Sequence, residues 1–346
     1  MKTIKITAIA AMLPALLSSC HNSDNEFPDF DYQTVYFANQ SVGRTVELGR
    51  DREVDLTLDN QHRVMVKAVL GGVYKNTVAR TIHFDVVPEL CDNLYFGEGE
   101  GGGKAEVLPE DYYTLESGVI SIEPGRHDGG VTVRLDEKFF NDPKAIGYNY
   151  VLPIVMTHAE GVDSILQGRP AVENPDRLNA SDWSVTPRDY VLYCVKYVNE
   201  WHGVYLRRGT DRLTLADGTT SEIVRKADYI ERDEEVSVST SAYRSCEISL
   251  STRTDADHTY AYRLRLDFNS EDGTCVISSA EDGVTVSGSG RFVADGEKNA
   301  ISGTDRDALY LDYTVTHPSG WSLEVDDTLV LRNRGVTAEY PEVVVK

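Results

Sequence analysis

Positive charge is scarce in this chain: 34 lysines and arginines stand against 56 aspartates and glutamates, a formal net charge of −22 over 346 residues. A surface of that sign repels phosphate and anionic headgroups, and only 205–208 (YLRR) gathers basic residues locally, which excludes nucleic acid as a partner. Cysteine is sparse too. Its five residues are unevenly spread with no Cys-x-x-Cys, and the eight histidines include no His-x-x-x-His pair, so a disulfide scaffold and a dedicated zinc site both lack their spacing. Cys20 apart, Cys91, Cys194, Cys246 and Cys275 are expected to be buried free thiols. Helical periodicity is almost missing, with room for a turn or two only at 136–141 and 225–235. A serine nucleophile elbow is missing as well, because Ser287-Gly288-Ser289-Gly290 lacks the Gly-x-Ser-x-Gly spacing.

What is present begins at the N-terminus. Lys2 and Lys5 precede an apolar run from residue 6 to 17, too short to cross a bilayer, and Leu17-Ser18-Ser19-Cys20 supplies the small residues of a cleavage site ending in cysteine. This is the pattern of a bacterial lipoprotein signal. It predicts that residues 1–19 are removed and that Cys20 carries acyl chains, with 20–32 a flexible tether, so that the protein is anchored to a membrane without crossing it. The acidic segment just after the cysteine, with Asp24 and Glu26, resembles the export signal of Bacteroidetes lipoproteins, and that resemblance implies outer-membrane attachment on the exterior face.

Beyond the tether the chain predicts an all-β protein. Residues 131–135, 262–268, 309–315 and 328–332 alternate apolar and polar side chains, the period of half-buried antiparallel strands. Turn dipeptides separate such segments, among them Pro124-Gly125, Asp217-Gly218, Asp272-Gly273, Asp282-Gly283 and Asp295-Gly296. Turn and linker chemistry is concentrated between about 158 and 195, where Pro170, Pro175 and Pro187 fall. The chain is therefore divided into an N-terminal Ig-like β-sandwich over 33–165, a linker over 166–198 and an antiparallel β-barrel over 199–346. The barrel's opening, 199–206 (NEWHGVYL), resembles the way lipocalin-like barrels begin.

Several phrases together resemble one family: 35–40 (VYFANQ), 44–49 (RTVELG), 69–74 (VLGGVY) with Asn76, 108–113 (LPEDYY), 150–153 (YVLP) and 195–205 (VKYVNEWHGVY). They are similar to the two-domain Bacteroidetes surface lipoproteins of polysaccharide utilisation loci, which carry an N-terminal Ig-like domain and a C-terminal lipocalin-like barrel domain. The resemblance runs from about residue 33 to the C-terminus. It implies a non-catalytic, SusE/SusF-like role: binding an oligo- or polysaccharide at the cell surface beside a SusC/SusD-type importer. The alternatives are a structural or assembly component without sugar affinity, a glycoside hydrolase, and a barrel that encloses a small hydrophobic ligand.

The residues themselves speak against catalysis. Glycoside hydrolysis needs two carboxylates facing each other across a sugar, whereas Glu110-Asp111, Glu234-Glu235 and Asp326-Asp327 are neighbours whose side chains leave a strand on opposite faces. The segment 97–104 (GEGEGGGK) lacks the register of a phosphate cradle and reads as a mobile loop. No cofactor is expected, although Asp255 with Asp257 and Asp305 with Asp307 leave a structural Ca²⁺ open. Sugar rings need exposed aromatic faces beside planar polar side chains. Trp321, just after the turn 317–320, is the expected platform, and Tyr243 with Arg244 the second candidate. Trp183 is expected to pack the domains together and Trp201 to plug the barrel core.

Overall fold

The computed structural model describes residues 30–253 and 258–346, so Cys20, the tether up to residue 29, Asp255 and Asp257 lie outside the described residues. Both domains are built of β-structure.

The first domain is one continuous sheet curled around a core. Its strands run in the order Ser164–Ile165, Thr34–Tyr36, Arg63–Gly71, Asp128–Leu135, Val119–Ile122, Arg80–Val86, Tyr150–Glu160, Tyr190–Val198 and Ser41–Glu47. Strand Arg63–Gly71 shows why: Val64, Val66, Ala68 and Leu70 are buried on one face while Met65 and Lys67 point outward. Val119–Ile122 meets Asp128–Leu135 through the pairing of Ser121 with Gly130. A side chain on neighbouring Gly129 would put its Cβ 1.9 Å from the Ser121 carbonyl oxygen, so only glycine permits this approach.

Tyr150–Glu160 and Tyr190–Val198 are buried on both faces, which accounts for their uninterrupted apolar runs. One face joins the main core through Leu152, Ile154, Val191 and Val195. The other, through Val151, Leu192 and Cys194, meets a smaller cluster with Cys91, Leu94 and Phe96. The expected linker is thereby corrected: Tyr190–Val198 pairs with Tyr150–Glu160 and Ser41–Glu47, so the first domain extends to residue 198. Only 169–185 forms an excursion, a two-stranded ribbon in which Trp183 donates its indole N–H to the Asp176 carbonyl at 2.8 Å.

The second domain is a closed antiparallel barrel of eight strands. They are Gly203–Thr214, Glu234–Ala242, Ser245–Arg253, Thr259–Phe268, Thr274–Ser279, Thr285–Ile301, Thr304–Thr316 and Ser322–Asn333. The first and last close it, in register from Tyr205 opposite Leu331 to Thr214 opposite Ser322, with a one-residue slip between Val204 and Tyr205. Alternation again sets the faces: Leu309, Leu311, Tyr313 and Val315 are buried inward and Asp312 and Thr314 exposed. Trp201 plugs one end as expected, 2 % exposed and stacked on Phe268 at 4.0 Å between centroids.

The barrel also encloses charge. Gly203–Thr214 pairs with Glu234–Ala242 up to Arg207 and with Thr220–Arg225 from Gly209 onward, which opens a fork in the wall. Arg207, Asp211 and Asp327 fill it from the inside, all fully buried. Arg207 donates to Asp327 at 2.9 Å and to the Tyr262 hydroxyl at 3.0 Å; Tyr313 donates to Asp327 at 2.9 Å. Arg225, from the ninth strand, bridges Asp327 at 2.8 Å and Asp211 at 3.0 Å. A Cβ on Gly209 would fall 2.1 Å from the Asp326 carbonyl oxygen, so the closing pair of strands needs glycine there.

The barrel ends at Asn333, not at the C-terminus. Val343–Val345 returns to the first domain and pairs with Leu94–Phe96, with Gly43 N–H donating to the Glu339 carbonyl at 3.1 Å on the way. The glycine-rich segment expected to be a free loop is pinned by this tail, because Gly97 N–H donates to the Glu342 carbonyl at 2.9 Å. Cys91, Cys194, Cys246 and Cys275 are buried free thiols, as expected, and burial pushes each up to about 12.

Candidate functional site between the two domains

Four residues, 199–202, separate the last strand of the first domain from the first barrel strand. The connection is tied down. Asn199 is buried, receives no side-chain freedom, and donates to the carbonyls of Ala242 at 3.0 Å and Ser245 at 2.9 Å. These bonds hold the tight hairpin between Glu234–Ala242 and Ser245–Arg253, whose two tip residues are Tyr243 and Arg244. The pairing slips by one residue between Thr240 and Ala242, which turns the tip toward the first domain.

Tyr243 lands on an aromatic floor. Its ring lies 5.6 Å from Phe140, 6.4 Å from Tyr197 and 6.5 Å from His62 between centroids. The floor is rigid: Phe140 packs edge-on to Phe139 at 5.2 Å, and the Tyr197 hydroxyl donates to the Phe140 carbonyl at 2.7 Å. Half-burial raises the Tyr243 hydroxyl pKa and lowers that of the His62 ring, the latter against the opposing pull of Glu137.

The hairpin tip divides two clefts. The larger, about 460 Å³, runs between Tyr243, Arg244 and the Glu137–Asn141 turn of helix. The smaller, about 200 Å³, lies between the same two residues and Asn60, His62 and Glu200. Burial raises the Glu200 carboxyl pKa against the opposing pull of Arg334 and Arg244. The Arg244 side chain is exposed, and among the described residues it makes no ion pair. Aromatic faces, a free guanidinium, amides and a weakly acidic carboxyl thus line one junction. Such a surface can hold the CH-rich face and the hydroxyls of a polyol.

The expected Trp321 platform is corrected. Trp321 is 7 % exposed and belongs to the barrel core. His317 stacks on it at 4.8 Å and 6°, and Tyr260 meets its edge at 5.5 Å, so no ring face is left for a ligand. Tyr243 and Arg244, by contrast, are brought together with residues from both domains. The sequence reading missed Phe140, Tyr197, His62 and Glu200, whose only signal was an aromatic phrase in each of two distant segments.

The paired acids behave as solvated or structural groups. Asp111 pairs with Lys138 at 2.8 Å, Glu234 with Arg207 at 3.2 Å, and Asp326 faces solvent while Asp327 faces the barrel interior. Asp305 accepts from Lys298 at 2.9 Å and Asp307 from Arg50 at 3.3 Å. Among the described residues, no group of three or more His, Cys, Asp or Glu is arranged to hold a metal ion.

Comparison with known proteins follows the same division of the chain. Residues 200–335 match a domain of unknown function, DUF5627, and residues 30–163 match a model described as an N-terminal domain. A curated relative, the LPS-assembly protein LptD of Aliivibrio fischeri, is 27 % identical over 186 residues, 47 % of this chain; the chain spans 21 % of that protein's length. A crystal structure of an auxiliary nutrient binding protein from Bacteroides thetaiotaomicron is 14 % identical over 84 % of this chain and 90 % of the other, with a TM-score of 0.37. A crystal structure of a protein of unknown function from Bacteroides ovatus is 48 % identical, covering 92 % of this chain and all of the other, with a TM-score of 0.86. The chain belongs to the family of that Bacteroides ovatus protein, and its barrel matches the DUF5627 model.

Proposed function

We propose that the protein binds an oligo- or polysaccharide, without turning it over, in the clefts on either side of Tyr243 and Arg244. The observation that carries the reading is the hairpin tip itself. An aromatic ring and an unpaired guanidinium are presented together at a junction built from both domains. In this reading the aromatic floor supports a sugar face while Arg244, Asn141 and Glu137 take hydroxyls. The lipoprotein pattern at 2–20 completes the proposal: acyl chains on Cys20 hold both domains at the exterior face of the outer membrane, beside a SusC/SusD-type importer.

Calorimetry against a panel of polysaccharides tests it. Arg244→Ala is expected to weaken binding about tenfold, the worth of one charge-assisted hydrogen bond, with the melting temperature unchanged. Flat isotherms across the panel favour an assembly role instead, and sustained release of reducing sugar favours a hydrolase. Palmitate labelling that marks the native chain and spares Cys20→Ala tests the anchor.

A further inference from the structure

Next to the smaller cleft lies a further cavity, about 80 Å³, and its lining inverts the charge of the molecule. Five arginines, Arg50, Arg52, Arg306, Arg332 and Arg334, line it with three acids, in a chain where acids outnumber bases. Three of the five are matched. Arg50 pairs with Asp295 at 2.8 Å and Asp307 at 3.3 Å, Arg52 with Asp295 at 3.6 Å, and Arg332 with Glu235. The other two, Arg306 and Arg334, form no ion pair among the described residues, and the Nε–H of each is enclosed without an acceptor.

Arg334 is the more telling. It is only 3 % exposed, and its remaining hydrogen bonds go to main-chain carbonyls, Arg50 at 3.1 Å and Asn199 at 2.7 Å. The carboxyls of Glu47 and Glu200 act on this guanidinium without forming an ion pair with it, its Nε–H still has no acceptor, and a buried guanidinium hydrogen-bonded only to neutral carbonyls is costly unless an anion answers it directly. The cavity at its side has room for one small oxyanion and not for a nucleotide. It also adjoins the clefts already described. Gly49 lines the smaller of them, and a Cβ on Gly49 would lie 3.3 Å from Arg334 Nη1.

We infer that the cavity at Arg306 and Arg334 is a binding site for an oxyanion, the carboxylate of a uronic acid or a sulfate ester. That a glycan carries this anion rests on the preceding reading of the Tyr243 clefts; the anion site itself does not. The protein thus selects acidic over neutral saccharides, with guanidinium groups receiving the two oxygens of the anion.

The test uses the full chain and three probes at constant ionic strength: inorganic sulfate, galacturonate and galactose. Sulfate, galacturonate or both are expected to raise the melting temperature, and galactose to leave the cavity's contribution unchanged; which of the two acts distinguishes sulfate ester from uronate. Arg306→Gln, which has no ion pair to lose, is expected to melt like the native chain without anion and to weaken anion binding about tenfold. Arg244→Ala should keep the anion shift. No shift with either anion, or an equal shift in Arg306→Gln, overturns the inference. Anion binding without any polysaccharide binding retains this site and sinks the glycan reading; polysaccharide binding indifferent to Arg306→Gln and to acidic groups does the reverse.

Discussion

At the scale of single residues, position in the fold reverses what composition suggests. Trp321 follows a turn, yet its ring is covered by His317 and Tyr260 within the barrel core. Trp321→Ala is therefore expected to destabilise the barrel by about 3–5 kcal/mol, the cost of removing a buried aromatic, measured by urea unfolding. His202 carries a second expectation. Its Nδ1 accepts the Thr240 N–H at 3.2 Å, which fixes the neutral ring, and burial brings its pKa down to about 4, with Arg334 and Lys196 pulling the same way. Unfolded histidine titrates near about 6.5, so between these values the unfolded chain binds the extra proton. The stability due to the neutral ring is full above the unfolded pKa and is lost as pH falls toward the folded one. Unfolding midpoints at pH 7.5 and 5.0 should fall further apart in the native chain than in His202→Asn.

At the scale of elements, the strand Gly203–Thr214 departs from a simple hairpin barrel because it serves two partners on one edge. The fork this creates is filled by Arg207, Asp211, Arg225 and Asp327, charges that satisfy one another out of water. Removing one of them strands the rest. Asp327→Ala should cost about 3–5 kcal/mol by denaturant unfolding, because Arg207 is left buried beside Arg225 with its chief counter-charge gone. Glu235→Ala breaks only the exposed pair with Arg332 and should cost less than about 1 kcal/mol. The same filling bears on the barrel as a container: Arg207, Tyr262 and Tyr313 occupy its interior side by side.

At the scale of the whole molecule, the chain itself passes between the two domains twice. The chain passes from one to the other through the buried Asn199, and the C-terminal tail returns to cover Leu94 and Phe96. Deleting residues 336–346 should lower the melting transition of the first domain while the barrel's transition stays, turning coincident unfolding into two resolved steps by scanning calorimetry. The clefts on either side of Tyr243 exist only because the domains meet. A ligand bound there stabilises both together.

Much of this architecture was written in local pattern. Alternation such as Leu309, Leu311, Tyr313, Val315 determined strands and their faces, turn dipeptides determined where hairpins close, and the scarcity of basic residues determined the character of the surface, since each depends only on neighbours along the chain. Tyr190–Val198 falls within the expected linker because the prolines before it mark an excursion and nothing local says which sheet a strand rejoins, whereas in the fold it pairs with Tyr150–Glu160 and Ser41–Glu47. Only the tertiary structure decided that Trp321 is core, that Tyr243 and Arg244 meet Phe140, and that Arg306 and Arg334 share a cavity with Arg50. Those facts join residues up to hundreds of positions apart, and such proximity is set by packing and strand register, which no short stretch of sequence contains.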